Sequence, residues 1–291
     1  MRHFDEIDIC KGIAILLVLI FHSFILYPIR LIDIPWCHYI MDVIASFFMP
    51  VFFLISGFLF ANSRNKNYSH ILNSKFKRLL IPFISYEVVT LGIKLAVPSL
   101  INRKVTGIGK YVTDLIYGGG ELWFIYVLFL IFLVWGFLLP RMKRWMIIVS
   151  IIFCQILHLT IGGFANNIFL NDRIFYYSVF FMLGYLAIAH IRSLINKKNV
   201  LVCLAFLFVI VNIIFIEKLP IVMKWFLIAP IIGSLFCWAI SFPLTQTRAS
   251  KFLTYCGKYS LQFYIFNGFA LVPARVLMCN VFRVSNAAIL W

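Results

Sequence analysis

Residues 11–28 read KGIAILLVLIFHSFILYP, an apolar run in which Lys11 and His22 are the only basic side chains. A helix of this length crosses a hydrocarbon core of about 30 Å. Acidic residues precede the run, and no small-residue cleavage site follows it. We therefore expect a retained first transmembrane helix rather than a cleaved signal peptide.

Apolar runs of similar length recur along the chain and decide the class of protein. Hydrophobic residues make up 63% of the 291 positions and charged residues 12%, whereas soluble domains average about 45–50% and about 25%. The later runs are Met41–Ala61, Leu79–Val97, Leu122–Leu139, Trp145–Ile161, Ile174–Ile191, Val200–Ile216, Ile221–Phe242 and Leu261–Val281. We predict an all-α, polytopic transmembrane helix bundle of roughly nine to ten spans, forming a single domain over residues 1–291 with a cytoplasmic N-terminus.

The formal net charge of +16 is carried by short Lys and Arg clusters between the apolar runs. This distribution is typical of loops that orient a membrane protein, and it argues against nucleic-acid binding. The alternation places the even-numbered loops in the cytoplasm, with the segment holding Arg103, Lys104 and Lys110 as an exception. Alternatively, some of these Lys and Arg residues bind an anionic ligand or membrane lipids. The seven cysteines lack metal-ligand spacing, so we expect no metal.

Two ionisable residues of the first helix share one face. Lys11 and His22 are eleven positions apart, which corresponds to about 20° of azimuth and about 16 Å along the axis. Lys11 is therefore expected at the cytoplasmic interface, with His22 above it near the middle of the membrane. Coenzyme A needs such an arrangement, because its phosphates would stay at the surface while its thioester reaches an imidazole base. Alternatively, His22 only hydrogen-bonds another helix.

A second basic element is KFKRLLIP, residues 75–82. Lys75 and Arg78 are three positions apart and would share a face of an α-helix. They are suited to clamp phosphate groups, although ordinary cytoplasmic loop charge explains the segment equally well.

Other polar residues of the apolar runs allow two interpretations each. Glu87 and Lys94 are seven positions apart, and we expect an internal ion pair that they form with each other or with Arg275. Glu121 begins a helix, where it either complements the helix dipole or orients an acceptor hydroxyl. Trp123 either stacks on a sugar ring or anchors the membrane interface.

Four segments together resemble the bacterial membrane-bound acyltransferase family 3. They are DICKGIAILLVLIFH (residues 8–22), MPVFFLISGFLF (49–60), KFKRLLIP (75–82) and LWF (122–124). FMLGY (181–185) and YSLQFY (259–264) are similar to later segments of the family, and all of them come in family order. The opening segment looks closest to the sugar O-acetylases of the fucose-acetylating kind.

The resemblance implies a reaction at the bacterial cytoplasmic membrane. An acyl group, most often acetyl, would pass from cytoplasmic acetyl-CoA or another acyl-CoA to a hydroxyl of an extracytoplasmic or lipid-linked carbohydrate. It implies His22 as the catalytic residue, with Lys11, Lys75 and Arg78 binding the donor.

The chain also departs from the pattern of the family it resembles. Family members often have Arg where this chain has Lys11 and Lys75, and His where it has Glu121 and Asn267. We assign Glu121, Trp123 and Asn267 to the binding of the acceptor.

Two mechanisms and two other functions stay open at this point. The acceptor hydroxyl attacks the thioester directly with His22 as base, or an acyl-histidine forms first. The chain could instead be a transporter or flippase for an envelope lipid or small solute, although no inverted repeat is found. It could also be a relative that binds the donor without turnover.

Overall fold

The computed structural model describes residues 4–25, 31–63, 67–96, 107–118, 120–161, 171–187, 190–213 and 227–278, and these ranges contain helices and no strand. The helices are α1 (Asp5–Ile25), α2 (Pro35–Asn62), α3 (Tyr68–Lys75), α4 (Ile81–Ala96), α5 (Ile108–Gly118), α6 (Trp123–Leu138), α7 (Arg144–Ile161), α8 (Asn171–Leu186), α9 (His190–Ile195), α10 (Lys198–Val211), α11 (Ile228–Leu244), α12 (Ser250–Lys258) and α13 (Ser260–Val276). A π-helical turn, Phe76–Leu80, joins α3 to α4. The predicted all-α class is confirmed.

Within the part of the chain that the structure describes, four helical segments are long and apolar enough to cross a membrane: Asp5–Phe24, Pro35–Asn62, Tyr68–Ala96 and Trp123–Arg141. Shorter apolar helices cover Arg144–Thr160, Arg173–Leu186, Lys198–Val211 and Ile228–Leu244. Many large apolar side chains point outward, such as Phe206, which is 67% exposed. Only a hydrocarbon solvent tolerates so much of this surface. The count of nine to ten spans and the cytoplasmic N-terminus stay predictions.

The chain divides into two compact units, one formed by Met1–Phe52 with Ala189–Trp291 and the other by Phe53–Ile188, so that the boundary falls within α2. Whether the whole chain acts as a single domain stays a prediction.

In the first unit, two glycines let α1 and α12 meet backbone to backbone. A Cβ atom on Gly12 would collide with the carbonyl oxygen of Leu253, and one on Gly257 would collide with that of Asp8. Small residues at a crossing permit the close packing on which helix association in lipid depends. The buried thiols of Cys10 and Cys237, 3.7 Å apart, join α1 to α11. α1 is therefore held on two sides around its first turns.

One end of this unit gathers the start of α1, the end of α11, α9 and α12. Arg192 of α9 donates from Nε to the buried Glu6 at 2.7 Å. The same guanidinium lies over the ring of Phe4 at 4.8 Å and that of Phe242 at 5.9 Å. The basic segments after α9 and before α12 therefore lie at the end of the unit where α1 begins, and their cytoplasmic location stays a prediction.

In the second unit, glycines again set a close crossing, here between α2 and α8. A Cβ atom on Gly57 would meet the carbonyl oxygen of Phe181, and one on Gly184 would meet that of Leu54. The ring of Phe181 also packs edge to face on Phe132 of α6, with 5.0 Å between centroids. These contacts hold α2, α6 and α8 together.

Candidate functional site

His22 lies in the last turn of α1 among aromatic side chains of the first unit. Its ring meets Phe21 edge to face with 5.7 Å between centroids, and Phe21 packs on Phe48 of α2 at 5.2 Å. The imidazole is half-buried. The imidazole is therefore surrounded by apolar side chains but remains partly exposed, as a group that must contact a substrate has to be.

Lys11 lies three turns below His22 and already has a partner. Its Nζ contacts Oδ1 of Asp8 at 2.6 Å, and both side chains are largely covered. The two residues are one helical turn apart, so α1 itself sets the pair. Gly12, the next residue, packs against Leu253. Asp8 therefore fixes the position of the Lys11 ammonium group.

Lys75 and Arg78 do not occupy one regular α-helical face, because Arg78 belongs to the π-helical turn. A π turn is closed by hydrogen bonds from i to i+5 and is wider than an α-helical turn, so residues three positions apart no longer share a face. The structure reflects this: Nζ of Lys75 lies 4.1 Å from the centroid of the Phe132 ring, whereas Arg78 is exposed. The shared α-helical face expected for Lys75 and Arg78 is therefore wrong, whereas their binding of the donor stays a prediction. A π turn in a helix often marks a functional position.

A polar cluster of the second unit surrounds Glu121, just before α6. Lys94 donates to its Oε1 at 2.7 Å, and the Tyr86 hydroxyl donates to Oε2 at 3.0 Å. The Lys94 side chain is only 9% exposed, while that of Glu121 is 45% exposed. The ion pair predicted between Glu87 and Lys94 is wrong, because the turn before α6 brings Glu121 to Lys94 instead. The Arg275 side chain lies outside those that the structure describes.

Glu87 forms the buried half of the same cluster. Its Oε2 accepts the Tyr111 hydroxyl at 2.6 Å, and its Oε1 accepts the backbone N–H of Glu121 at 3.2 Å. Burial and the bond to Glu87 raise the pKa of the Tyr111 phenol, which keeps it a donor. Gly120 has φ +58°, and a Cβ there would collide with Oε1 of Glu87. Glu87 thus ties α4 and α5 to the start of α6.

Trp123 makes a cation–π contact that could not be predicted from the sequence. The guanidinium of Arg173 lies 4.6 Å from the Trp123 ring centroid, and Tyr177 lies 5.4 Å away. This contact depends on α8 packing beside α6, and no local spacing signals it. The Trp123 indole therefore contacts both the ring of Tyr177 and the exposed guanidinium of Arg173.

Asn267 lies in α13 of the first unit, half-buried. Its Nδ2 donates to the Tyr264 carbonyl at 2.9 Å, within its own helix. Its side-chain oxygen can accept a hydrogen bond from a hydroxyl.

The predicted site residues are divided between the two units. Lys11, His22 and Asn267 belong to the first unit, while Lys75, Arg78, Glu121 and Trp123 belong to the second. Glu121 and Trp123 are neighbours at the start of α6, with Lys94, Tyr86 and Arg173 added by the fold. Among the described residues, no group of three or more His, Cys, Asp or Glu side chains could hold a metal ion.

Comparisons with known proteins place the chain in a family. A family model described as an acyltransferase domain matches residues 4–291. No curated protein and no solved structure matches the chain. The match covers nearly the whole chain and includes both units, and it favours an enzyme over a transporter. The chain therefore belongs to acyltransferase family 3 and is a membrane acyltransferase.

Proposed function

We propose that this acyltransferase moves an acyl group, which we take to be acetyl, from cytoplasmic acyl-CoA to a hydroxyl of an extracytoplasmic or lipid-linked carbohydrate. The setting is the cytoplasmic membrane of a bacterium, with nine to ten spans and the N-terminus in the cytoplasm. The observation that carries the proposal is the placement of His22 and Lys11 on α1. A half-buried imidazole stands in line with a cation held at the other end of the same helix.

In this proposal, the Nε2 or Nδ1 atom of neutral His22 takes the proton of the acceptor hydroxyl. The hydroxyl oxygen attacks the thioester carbonyl carbon, and the C–S bond breaks. The thiolate of coenzyme A leaves and recovers the proton from the imidazolium. In the alternative sequence, the His22 nitrogen attacks the thioester carbonyl carbon, the C–S bond breaks and the thiolate of coenzyme A leaves with an acyl-histidine behind it. The acceptor hydroxyl then attacks the acyl carbon, the bond from that carbon to the His22 nitrogen breaks, and the hydroxyl proton returns to the imidazole, so donor and acceptor need not meet.

Cations would recognise the phosphates of the donor. Lys11 offers a point charge whose position Asp8 fixes. Lys75 and Arg78 would add a second contribution, with the exposed guanidinium of Arg78 suited to bidentate phosphate binding. Lys75 is the weaker candidate of the two, because its ammonium already lies on the Phe132 ring.

The acceptor would be held by hydroxyl-binding groups. Glu121 is half-exposed, and Lys94 and Tyr86 fix both of its oxygens. A carboxylate oxygen can accept more than one hydrogen bond, so Glu121 retains capacity for a sugar hydroxyl. Trp123 supplies an aromatic surface, and Asn267 supplies an amide oxygen.

The test follows radiolabelled acetyl from acetyl-CoA into envelope glycan in inverted membrane vesicles. We expect His22→Ala and His22→Gln to lower labelling by about 10² to 10⁴-fold, the usual contribution of a general base. The matched control is His38→Ala, since His38 is an exposed histidine of α2 that pairs with Asp42.

Equal labelling by wild type and both His22 variants, at equal expression, would exclude His22 as the base. An absence of labelling in wild type, while another acyl-CoA is accepted, would correct the acyl group only. An absence of labelling with every acyl-CoA would reject the donor class.

A further inference from the structure

α12 has two chemically different sides. Leu253, Cys256 and Gly257 are buried, and Leu253 and Gly257 pack on the backbone of α1. Burial raises the pKa of the Cys256 thiol, which keeps that side neutral. The opposite side is exposed and combines basic with aromatic residues.

The exposed residues form one compact face, which we call the α12 face: Lys251, Phe252, Tyr255, Lys258 and Tyr259. At about 100° per residue they all lie within about 60° of Tyr255. The two lysines fall on one flank of Tyr255, and Phe252 and Tyr259 fall on the other. Arg248, also exposed, lies in the turn just before the helix.

The aromatic flank presents a large apolar area. Phe252 is 59% exposed and Tyr255 is 56% exposed, and the rings of Tyr255 and Tyr259 contact each other at 4.8 Å. α12 is too short to cross a membrane, and it links two apolar helices, α11 and α13. A short two-sided helix with aromatic and basic residues outward is typical of the membrane interface, where rings sit at headgroup level.

The basic flank carries positive charge that no described carboxylate neutralises by direct contact. Among the described residues, no carboxylate lies within ion-pair distance of Lys251, Lys258 or Arg248. Lys197 and Lys198, both exposed, begin α10 just after α9 at the same end of the unit. Such a concentration of positive charge beside exposed rings complements a surface that is both anionic and apolar.

We propose that the α12 face is a binding site for anionic phospholipids. The headgroup phosphates would contact Lys251 and Lys258, and the glycerol and upper acyl region would contact Phe252 and Tyr255. A phospholipid fits better than a polypeptide because a membrane helix always meets lipid, and because the cationic and aromatic flanks separate the two parts of that molecule.

Headgroup binding has a consequence for α1. Gly257 lies against the backbone of Asp8 and Gly12, so a lipid that fixes α12 also fixes the first turns of α1. The site therefore predicts that anionic lipid stabilises the whole chain against thermal unfolding. This consequence does not depend on the donor or the acceptor.

The experiment uses purified full-length protein in detergent, titrated with short-chain phosphatidylglycerol or with phosphatidylcholine of the same chain length. Bound lipid is counted by native mass spectrometry, and unfolding temperature is followed in parallel. The test variant is Lys251→Gln with Lys258→Gln. The control is Lys143→Gln with Arg144→Gln, which removes two exposed charges of the second unit.

We expect wild type and control to bind phosphatidylglycerol in preference to phosphatidylcholine and to be stabilised by it. The test variant should bind phosphatidylglycerol at least about tenfold more weakly, because each lysine near an anionic headgroup contributes severalfold. Its unfolding temperature without lipid should equal that of wild type, since both lysines are exposed. Inorganic phosphate and coenzyme A, at matched ionic strength, should not displace the lipid.

Three results would overturn the proposal. Equal affinity for phosphatidylglycerol and phosphatidylcholine would show that the site does not recognise the negative charge of the headgroup. Unchanged phosphatidylglycerol binding by the test variant would move the site elsewhere. Displacement by coenzyme A would make the α12 face a nucleotide site rather than a lipid site.

Discussion

Glu87 illustrates how single residues of this chain keep charge inside an apolar body. Its side chain is 3% exposed, and an unpaired carboxylate there would cost several kcal/mol. Tyr111 and the backbone of Glu121 supply donors to both of its oxygens. The neighbouring Glu121 receives Lys94 and Tyr86. Each carboxylate therefore receives its hydrogen bonds from residues of other elements. Removal of one donor should lower the stability of the whole cluster.

Tyr111→Phe should destabilise the protein. The change removes the hydroxyl that donates to Glu87 and leaves a buried acceptor short of one partner, which costs about 1–3 kcal/mol. Thermal unfolding in detergent is the measurement. Tyr259→Phe is the control, because its exposed ring packs on Tyr255 and should tolerate loss of the hydroxyl. Equal unfolding temperatures for both variants would show that the bond to Glu87 contributes nothing.

At the scale of elements, α1 depends on a glycine crossing. Gly12 and Gly257 bring the backbones of α1 and α12 together next to Lys11 and Asp8. The π-helical turn Phe76–Leu80 acts in a different way, since it turns Arg78 away from the environment of Lys75. Both features position cations by backbone geometry.

Gly12→Ala should weaken the α1–α12 crossing, because its new methyl group would meet the backbone of Leu253 and one helix would have to shift. Overpacking of this kind costs about 1–3 kcal/mol. The matched control is Gly92→Ala in α4, where a Cβ would have no neighbour within 4 Å. The control should be neutral or stabilising, since alanine favours helix by up to about 1 kcal/mol. An equal fall in unfolding temperature in both variants would show that the close contact between Gly12 and Leu253 is not what makes the substitution destabilising.

At the scale of the whole molecule, loop charge and structure agree within the first unit. Arg192 binds Glu6 near the start of α1, and α12 packs on the same turns. The segments that follow α9 and α11 therefore lie at the end of this unit where α1 begins. Their positive charge predicts that this end faces the cytoplasm.

Reporter fusions test that orientation. Alkaline phosphatase joined after Lys197 or Thr247 should be inactive, and green fluorescent protein at the same positions should fluoresce, because both positions are predicted to be cytoplasmic. A fusion after Asp33 should give the reverse result. Active phosphatase at Lys197 together with inactive phosphatase at Asp33 would invert the assigned topology.

Sequence alone predicted the helical membrane class, the family and the alignment of Lys11 below His22. These follow from composition, from motif order and from the fixed rotation and rise of one helix, so no partner element is needed. The Asp8–Lys11 pair is similarly local, since its residues are one turn apart in α1.

Only the tertiary structure decided which partner each polar group takes. Lys94 could reach Glu87 along its own helix, yet the turn before α6 delivers Glu121. The ring of Trp123 meets Arg173 because α8 packs beside α6, and the two sides of α12 are defined by its crossing with α1. In a chain whose surface faces lipid, apolar side chains on every side of a helix satisfy the solvent equally well. Hydropathy therefore identifies the helices, while close backbone contact and the need to pair buried charge decide which of them meet.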